Sequence, residues 1–506
     1  MGRSLEWNFA ARLFRRLSDG SDLIDAATGE VIAAVDVSNR VAGFAAGFAS
    51  AGLEPGDRVL ISCDVSPAST LAYLGAMYAG LTVVPVRELS MSGKAISSMT
   101  GARAVWTNRG SRCEWAKRKG FLHIEGSFDA QNPRSVLPAP CYEDDLAALM
   151  PTSGSTGVSR LVKVSHGNLT ANTEAIIRSQ NLRADERVML ILPISYCFGA
   201  SVMHTHLYQG GGVVYDSRFM FPDKVLHAIG RYRCTTFAGV PTAYNILLRR
   251  SNIRSIPLTS VRRFLQAGGA LAPERIQQMR ELFPQAEFFV MYGQTEATSR
   301  ISCTPPGWLS EKLGSVGLPL DNVLVRIVDE NGRDVPSGQT GEVWVCGKSI
   351  CSGYFDEPEE TARKFRNGWL ATGDMASRDQ DGYLWIVGRK SEFIKMRGVR
   401  VSFAEIETRV AALPGVCECA ATAVEHAEAG EAVALYVVAE PGAHDVIVSI
   451  RRNMPPEWVC DSVSLVAELP RNSYGKLVRS RLSGIVRGQD NPSKSTPASA
   501  RLSERS

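Results

Sequence analysis

The sequence predicts an α/β protein: a large N-terminal domain of doubly wound α/β layers with a small β-rich subdomain, then a small α+β C-terminal domain. Three observations predict it. Segments of strand and helix period alternate over roughly the first 290 residues, the pattern of layered parallel sheets. From about residue 314 the pattern shortens to strand-like runs. After Gly388-Arg389-Lys390 a second, brief α/β series begins. We therefore place domain boundaries at 1–388 (β-rich part about 314–388) and 389–487, with a disordered tail at 488–506.

In order, 40–52 has the apolar spacing of a helix, 57–63 reads as a strand, 68–79 as a helix and 81–86 as a strand. That βαβ pattern implies parallel pairing. Strands follow at 102–106 and at Leu146–Leu149, with a Pro-rich surface connector at 131–140 between them. The alternation continues with helix 167–179, strand 188–193, helix 200–208, strand 213–215, helix 222–231 and strand 234–238. Helix 241–249, strand 263–267, helix 273–283 and strand 287–291 complete it. The β-rich part offers 323–328, 341–347 and 383–387, the first two joined by a turn at Asp329-Glu330-Asn331-Gly332. The C-terminal part offers helix 403–412, strands 418–424 and 433–439, helix 445–453 and strand 463–467.

Composition narrows the function. The 506 residues are 44% hydrophobic and 21% charged, as in a soluble globular protein, and length alone argues for more than one domain. A net charge of +4 is too small for its length to indicate nucleic acid or a membrane surface as partner. No signal-type core and no run of about 18 apolar residues is present, so no membrane span is expected. The eleven cysteines are scattered without CxxC spacing, which indicates reduced thiols, a cytoplasmic location and no zinc site. His204 and His206 read as packing or surface residues.

The chemistry is concentrated in a few segments. Thr152-Ser153-Gly154-Ser155-Thr156-Gly157 follows the strand ending at Leu149. Its small residues let backbone N–H groups approach a phosphate chain, and its hydroxyls add donors; taken alone, it also suits a flexible surface turn. Gly157 is followed by Val158-Ser159, so it is not a Walker loop. Tyr292-Gly293-Gln294-Thr295-Glu296 places an aromatic at a strand end and then a Thr-Glu pair that would also serve as a helix N-cap with a first-turn acid. Gln266 to Ala270 is a strand–turn–helix connection. Thr372-Gly373-Asp374, Asp381 to Arg389, Phe393 to Val401 and Leu469 to Lys476 complete the set.

Taken in this order, these segments resemble the signature motifs of the adenylate-forming superfamily, which includes acyl-CoA synthetases, aryl- and fatty-acyl-AMP ligases, luciferases and the adenylation domains of nonribosomal peptide synthetases. The resemblance spans roughly 150–480, and Gly52 to Val59 extends it toward the N-terminus. It implies the fold of those enzymes and a role for each motif. Thr152, Ser153, Gly154, Ser155, Thr156 and Gly157 would hold the β- and γ-phosphates of ATP. Arg160, in Ser159-Arg160-Leu161 where relatives carry Pro-Lys-Gly, would keep a cation there with altered geometry. Gly268, Gly269 and Ala270 would border adenine and the acyl group. Tyr292 would lie against adenine beside Gly293 and Gln294. Thr295 would touch the α-phosphate, and Glu296, with Thr156, would bind Mg²⁺. Asp374 would accept both ribose hydroxyls. Ile386 lies on the strand that leads to Arg389, which would reach ribose or phosphate, with Lys390 at the pivot. Lys395 and Gly398 belong to a loop that swings in for a second half-reaction, Gly398 leaving room for a pantetheine arm. Lys476 would be the catalytic lysine.

Tyr196, Phe198 and Gly199, where acyl-CoA synthetases tend to carry a His motif, with Val240, Pro241 and Tyr244, would line the acyl pocket. No Asp stands near Phe198 to pair an α-ammonium, which disfavours an ordinary α-amino acid. The compact Gly347 to Asp374 stretch disfavours the fatty-acyl-AMP ligase insertion. The implied reaction joins a small carboxylic acid to a phosphopantetheine thiol, supplied in trans by CoA or by an acyl or peptidyl carrier protein, using ATP and Mg²⁺. The alternatives are an amine or oxygen acceptor, or a non-catalytic nucleotide-binding homologue.

Overall fold

The computed structural model describes residues 6–87, 100–108, 121–125, 136–152, 160–396, 399–426, 430–440, 442–443, 445–455, 458–471 and 477–482. Ser153, Gly154, Ser155, Thr156, Gly157, Gly398, Lys476 and the 488–506 tail lie outside them. The chain forms two compact units, Met1–Ser391 and Glu392–Ser506.

The first unit contains two layered sheets. One has the strand order Leu122–Glu125, Ala104–Thr107, Arg58–Ser62, Thr82–Val86, Leu146–Pro151, Leu161–Ser165. Its first five strands are parallel, and continuous apolar runs such as Val59-Leu60-Ile61 are fully buried, as strands covered on both faces must be. The last strand was not expected from the sequence. Leu161–Ser165 returns antiparallel to Leu146–Pro151, so the Ser/Gly segment joins the two strands of a hairpin. Thr152 N–H donates to Arg160 O at 2.7 Å and closes its base. Ser165 and Asn168 then form a reciprocal capping box that starts the helix His166–Gln180.

The other sheet runs Leu318–Pro319, Ser302–Cys303, Glu287–Tyr292, Arg263–Gln266, Thr236–Gly239, Arg187–Leu190, Gly212–Tyr215, Leu23–Asp25, Val31–Ile32. Its parallel register sets Gly239 opposite Gln266 and Gln266 opposite Val290. The turns that leave Leu190, Gly239, Gln266 and Tyr292 therefore emerge side by side at the carboxyl edge, where doubly wound folds bind ligands. Behind this edge Phe237, Tyr244, Phe264 and Phe288 form the core.

The β-rich part pairs Val323–Val328 with Gly341–Gly347, that strand with Trp369–Arg378, and Trp369–Arg378 with both Phe365–Arg366 and Leu384–Arg389. The Asp329–Gly332 turn folds back at once, with Asp329 N–H on Arg333 O, and the partner strand begins only at Gly341. The helix expected from residue 40 starts at Ala34.

The second unit is a sheet ordered Val399–Ser402, Phe393–Met396, Gly430–Ala439, Val416–His426, with Cys460–Leu465 parallel to Gly430–Ala439. Phe403, Ile406 and Val410 of one helix, with Val446 and Ile450 of another, pack on Val433, Leu435 and Val437. Among the described residues no helix is long and apolar enough to cross a membrane.

Candidate active site

Register builds the first cluster. In the antiparallel pair Trp369–Arg378 and Leu384–Arg389, Asp374 stands directly opposite Arg389, with a bulge between Met375 and Ala376. Arg389 Nε lies 2.7 Å from Asp374 Oδ1, and the Tyr292 hydroxyl donates to Asp374 Oδ2 at 2.6 Å. Both carboxylate oxygens are thus engaged, and Asp374 is only 5% exposed. Burial, and then the Asp374 carboxylate, push the Tyr292 phenol well above its ordinary value, so it remains a donor. Ile386 sits across from Ala376 on the same ladder, half-buried.

Glu296 lies on the short turn Thr295–Ala297 that ends the Glu287–Tyr292 strand. Its carboxylate accepts the Tyr354 hydroxyl at 2.7 Å, and its backbone carbonyl accepts Cys351 N–H at 2.9 Å. Thr295 is buried, and its hydroxyl donates to Cys197 Sγ at 3.5 Å. Gly293 is required here, since a Cβ would collide with the Ser299 carbonyl. Arg160 is held by carboxylates: Nε lies 2.8 Å from Glu357 Oε2 and Nη1 3.6 Å from Glu360 Oε1, with the guanidinium 5.7 Å from the centre of the Tyr354 ring. Lys364 places Nζ 3.3 Å from Ala371 O; burial lowers its ammonium, and Glu296 opposes that shift. Motif reading passed over Tyr354 and Lys364, because their link to Glu296 exists only in three dimensions.

The second cluster gathers the residues expected to line the acyl pocket. Tyr196 is 6% exposed, and a Cβ on Gly268 would sit 2.5 Å from its hydroxyl and 3.1 Å from Val240 Cγ1. Gly268 has φ +87°, a conformation glycine adopts without strain. Gly269 and Ala270 are exposed on the same turn, and Gln266 Nε2 pins it by donating to Gly269 O at 2.8 Å. Phe198 and Gly199 start the buried helix Cys197–Tyr208, and Pro241 starts Pro241–Arg250. Tyr244 lies deeper than a wall residue. Its hydroxyl donates to Leu265 O at 2.9 Å and its ring packs among Phe237, Phe264 and Phe288, so it buttresses the wall from the core. Arg300 also belongs here, 5.2 Å from the centre of the Phe198 ring. No motif pointed to it.

In the second unit, Lys395 is exposed on Phe393–Met396, opposite Arg400, and its N–H donates to Glu431 Oε2 at 2.7 Å. Arg479, three residues beyond Lys476, is anchored by Glu407 (Nη2 to Oε2, 3.0 Å) and Glu392 (Nε to Oε1, 3.2 Å).

Known proteins resemble the chain over most of its length. The chain is 32% identical over 465 residues to a feruloyl-CoA synthase of Amycolatopsis sp, covering 89% of this chain and 93% of that protein. It is 29% identical over 502 residues to 4-coumarate--CoA ligase-like 4 of Oryza sativa subsp. japonica, covering 92% and 90%. The ATP-bound crystal structure of MatB from Rhodopseudomonas palustris superimposes with a TM-score of 0.85 at 27% identity, covering 95% of this chain and 99% of that one. A family model for the AMP-binding enzyme matches 27–355 and one for the AMP-binding enzyme C-terminal domain matches 405–476, so the chain belongs to the AMP-binding enzyme family of the adenylate-forming superfamily.

Proposed function

We propose that this chain, an AMP-forming acid–thiol ligase, couples a small carboxylic acid to the thiol of CoA in two steps. In the first, the carboxylate attacks the α-phosphorus of ATP; a P–O bond forms to the acid, the bond to the β-phosphate oxygen breaks, and pyrophosphate leaves. In the second, the thiol attacks the acyl carbon of the adenylate, AMP departs, and the thiol proton is released. The observation that carries this reading is Asp374, a buried carboxylate presented between Tyr292 and Arg389 beside the Thr295-Glu296 turn.

The residues divide the work. Asp374 accepts the ribose diol, a bidentate acceptor whose geometry Arg389 and Tyr292 set in advance. Tyr292 and the 268–270 turn flank adenine. Two anions must meet at the α-phosphorus, so cations decide the rate. Lys476 supplies the compact charge that bridges carboxylate and α-phosphate, and Thr295 positions that phosphate. The Thr152–Gly157 segment and Arg160 hold the β- and γ-phosphates, and Lys364 adds a cation near Glu296. Glu296 and Thr156 suit Mg²⁺, which prefers oxygen donors and fills its shell with substrate phosphates and water; bound there, it neutralises triphosphate charge. Tyr354 fixes the carboxylate that would hold it. Lys395 and Gly398 serve the thioester step. A phosphopantetheine on a carrier protein presents the same thiol and is the second acceptor to test.

ATP–pyrophosphate exchange over a panel of carboxylic acids, then mass spectrometry of the thioester formed with CoA and with a phosphopantetheinylated carrier, tests the reading. Exchange with at least one acid and a CoA thioester are expected. No exchange with any acid would overturn it.

A further inference from the structure

Arg300 is a buried cation for which the two-step chemistry has no use. It is 2% exposed, and among the described residues no carboxylate pairs with it, while its Nε and Nη1 have no hydrogen-bond partner. Its backbone is fastened by one side chain: Arg300 N–H donates to Asn172 Oδ1 at 3.3 Å, and Arg300 O accepts from Asn172 Nδ2 at 2.9 Å. The ionisable neighbours that act on it are Cys303, Cys197 and Tyr196, which are thiols and a phenol. Burial holds the Cys303 thiol up at about 12, so it supplies no counter-charge near neutrality. Arg263 shows how this chain treats another buried guanidinium, with Glu186 and Glu287 both against it. A buried charge left alone is costly, so a partner from outside the chain is the natural completion.

Its place says what that partner is. Arg300 lies over Phe198 and beside Tyr196, whose hydroxyl faces the Gly268 turn. A guanidinium offers only donors, so Arg300 calls for an acceptor. We propose that the acid this enzyme activates carries a second carboxylate, remote from the one adenylated, and that Arg300 receives it as an ion pair in the acyl pocket. The inference rests on the ligase reading above and narrows its substrate class to diacids.

The test is ATP–pyrophosphate exchange by the full-length protein with matched probes. These are glutarate, adipate, pimelate and terephthalate against their monomethyl esters and the corresponding monoacids, each with wild type, Arg300→Met and Arg300→Lys. We expect wild type to favour at least one diacid over its ester by about 100-fold or more in kcat/KM, because the ester leaves the buried donors unpaired. Arg300→Met should lose that preference and gain activity on monoacids. Arg300→Lys should restore part of it, with KM for ATP unchanged throughout; a packing role against Phe198 would not move acid selectivity. Esters and monoacids used as well as the diacids by wild type would overturn the inference and leave the ligase reading standing. Exchange with none of the acids would remove both. Should Arg300→Met fail to fold, the wild-type diacid-to-ester ratio alone decides.

Discussion

The two sides of the candidate site treat charge in opposite ways. On the nucleotide side Asp374 is shared by Tyr292 and Arg389, Glu296 is held by Tyr354, and Arg160 lies against Glu357 and Glu360. On the proposed acyl side Arg300 buries Nε and Nη1 with no partner among the described residues. Pairing fixes side chains before a ligand arrives, so little ordering remains when it binds, which suits a nucleotide common to the whole superfamily. Unpaired donors select instead, because a ligand lacking the matching acceptor leaves them buried and unsatisfied.

The largest expected effect comes from Lys476, the cation proposed to bridge carboxylate and α-phosphate. Lys476→Ala should lower adenylation by roughly 1,000-fold, the scale of losing one preorganised charge at the reacting centre. Thioester formation from pre-made acyl-AMP should be spared, since the proposal assigns that step to Lys395 and Gly398 instead. Single-turnover assays of the two half-reactions check this, and equal loss in both would contradict it.

Asp374→Asn comes next. It keeps the shape but removes the charge proposed to accept the ribose hydroxyls, and losing charge-assisted hydrogen bonds should cost roughly 100-fold in kcat/KM for ATP. KM for the acid should stay within a few-fold. If both constants rise together, the nucleotide and acyl sides are not separable and the contrast drawn above breaks.

A smaller change should follow from Tyr354→Phe, which deletes the hydroxyl on Glu296 and nothing else. Removing such an orienting partner should raise the Mg²⁺ concentration for half-maximal exchange by about 10-fold, and Glu296→Gln should raise it further. A Mg²⁺ titration with saturating ATP reads both. Identical curves for wild type and Tyr354→Phe would show that Tyr354 does not position the metal ligand.

What was legible in the sequence follows the same division. Tyr292, Glu296, Asp374 and Arg389 were named because their segments match the superfamily's motifs; the fold then sets Asp374 opposite Arg389 by register and joins it to Tyr292, 82 residues away, by a hydrogen bond. Parallel strands were legible from apolar runs such as Val59-Leu60-Ile61. The Leu161–Ser165 strand was not, because five residues after a Ser/Gly turn carry no helical or parallel-sheet context. Tyr354, Lys364 and Arg300 were missed for a further reason. An ordinary Tyr, Lys or Arg acquires its role from a neighbour distant in the chain, and an absent partner such as that of Arg300 leaves no mark on local pattern at all. Tyr244 went the other way, assigned to the pocket by its proximity to Val240-Pro241 and found in the core.

The smallest expected effect concerns the helix that carries Phe198. His204 and His206 lie on it, buried and neutral, and burial lowers His206 to about 4. Its Nδ1–H donates to Val202 O at 2.8 Å, while its Nε2, the atom a proton would take, has no partner. The unfolded chain binds that proton below the ordinary histidine range near 6.5, whereas the folded chain refuses it until about 4. Stability should therefore fall as pH drops through this window, by about 1.4 kcal/mol per pH unit for this residue. His206→Asn keeps a donor toward Val202 and removes the titration. Urea unfolding at pH 7 and pH 5.5 should show the variant losing about 1–1.5 kcal/mol less than wild type between the two. Parallel losses would mean that the Phe198 helix admits the proton while folded, and that the acyl side is wetter than its unpaired donors imply.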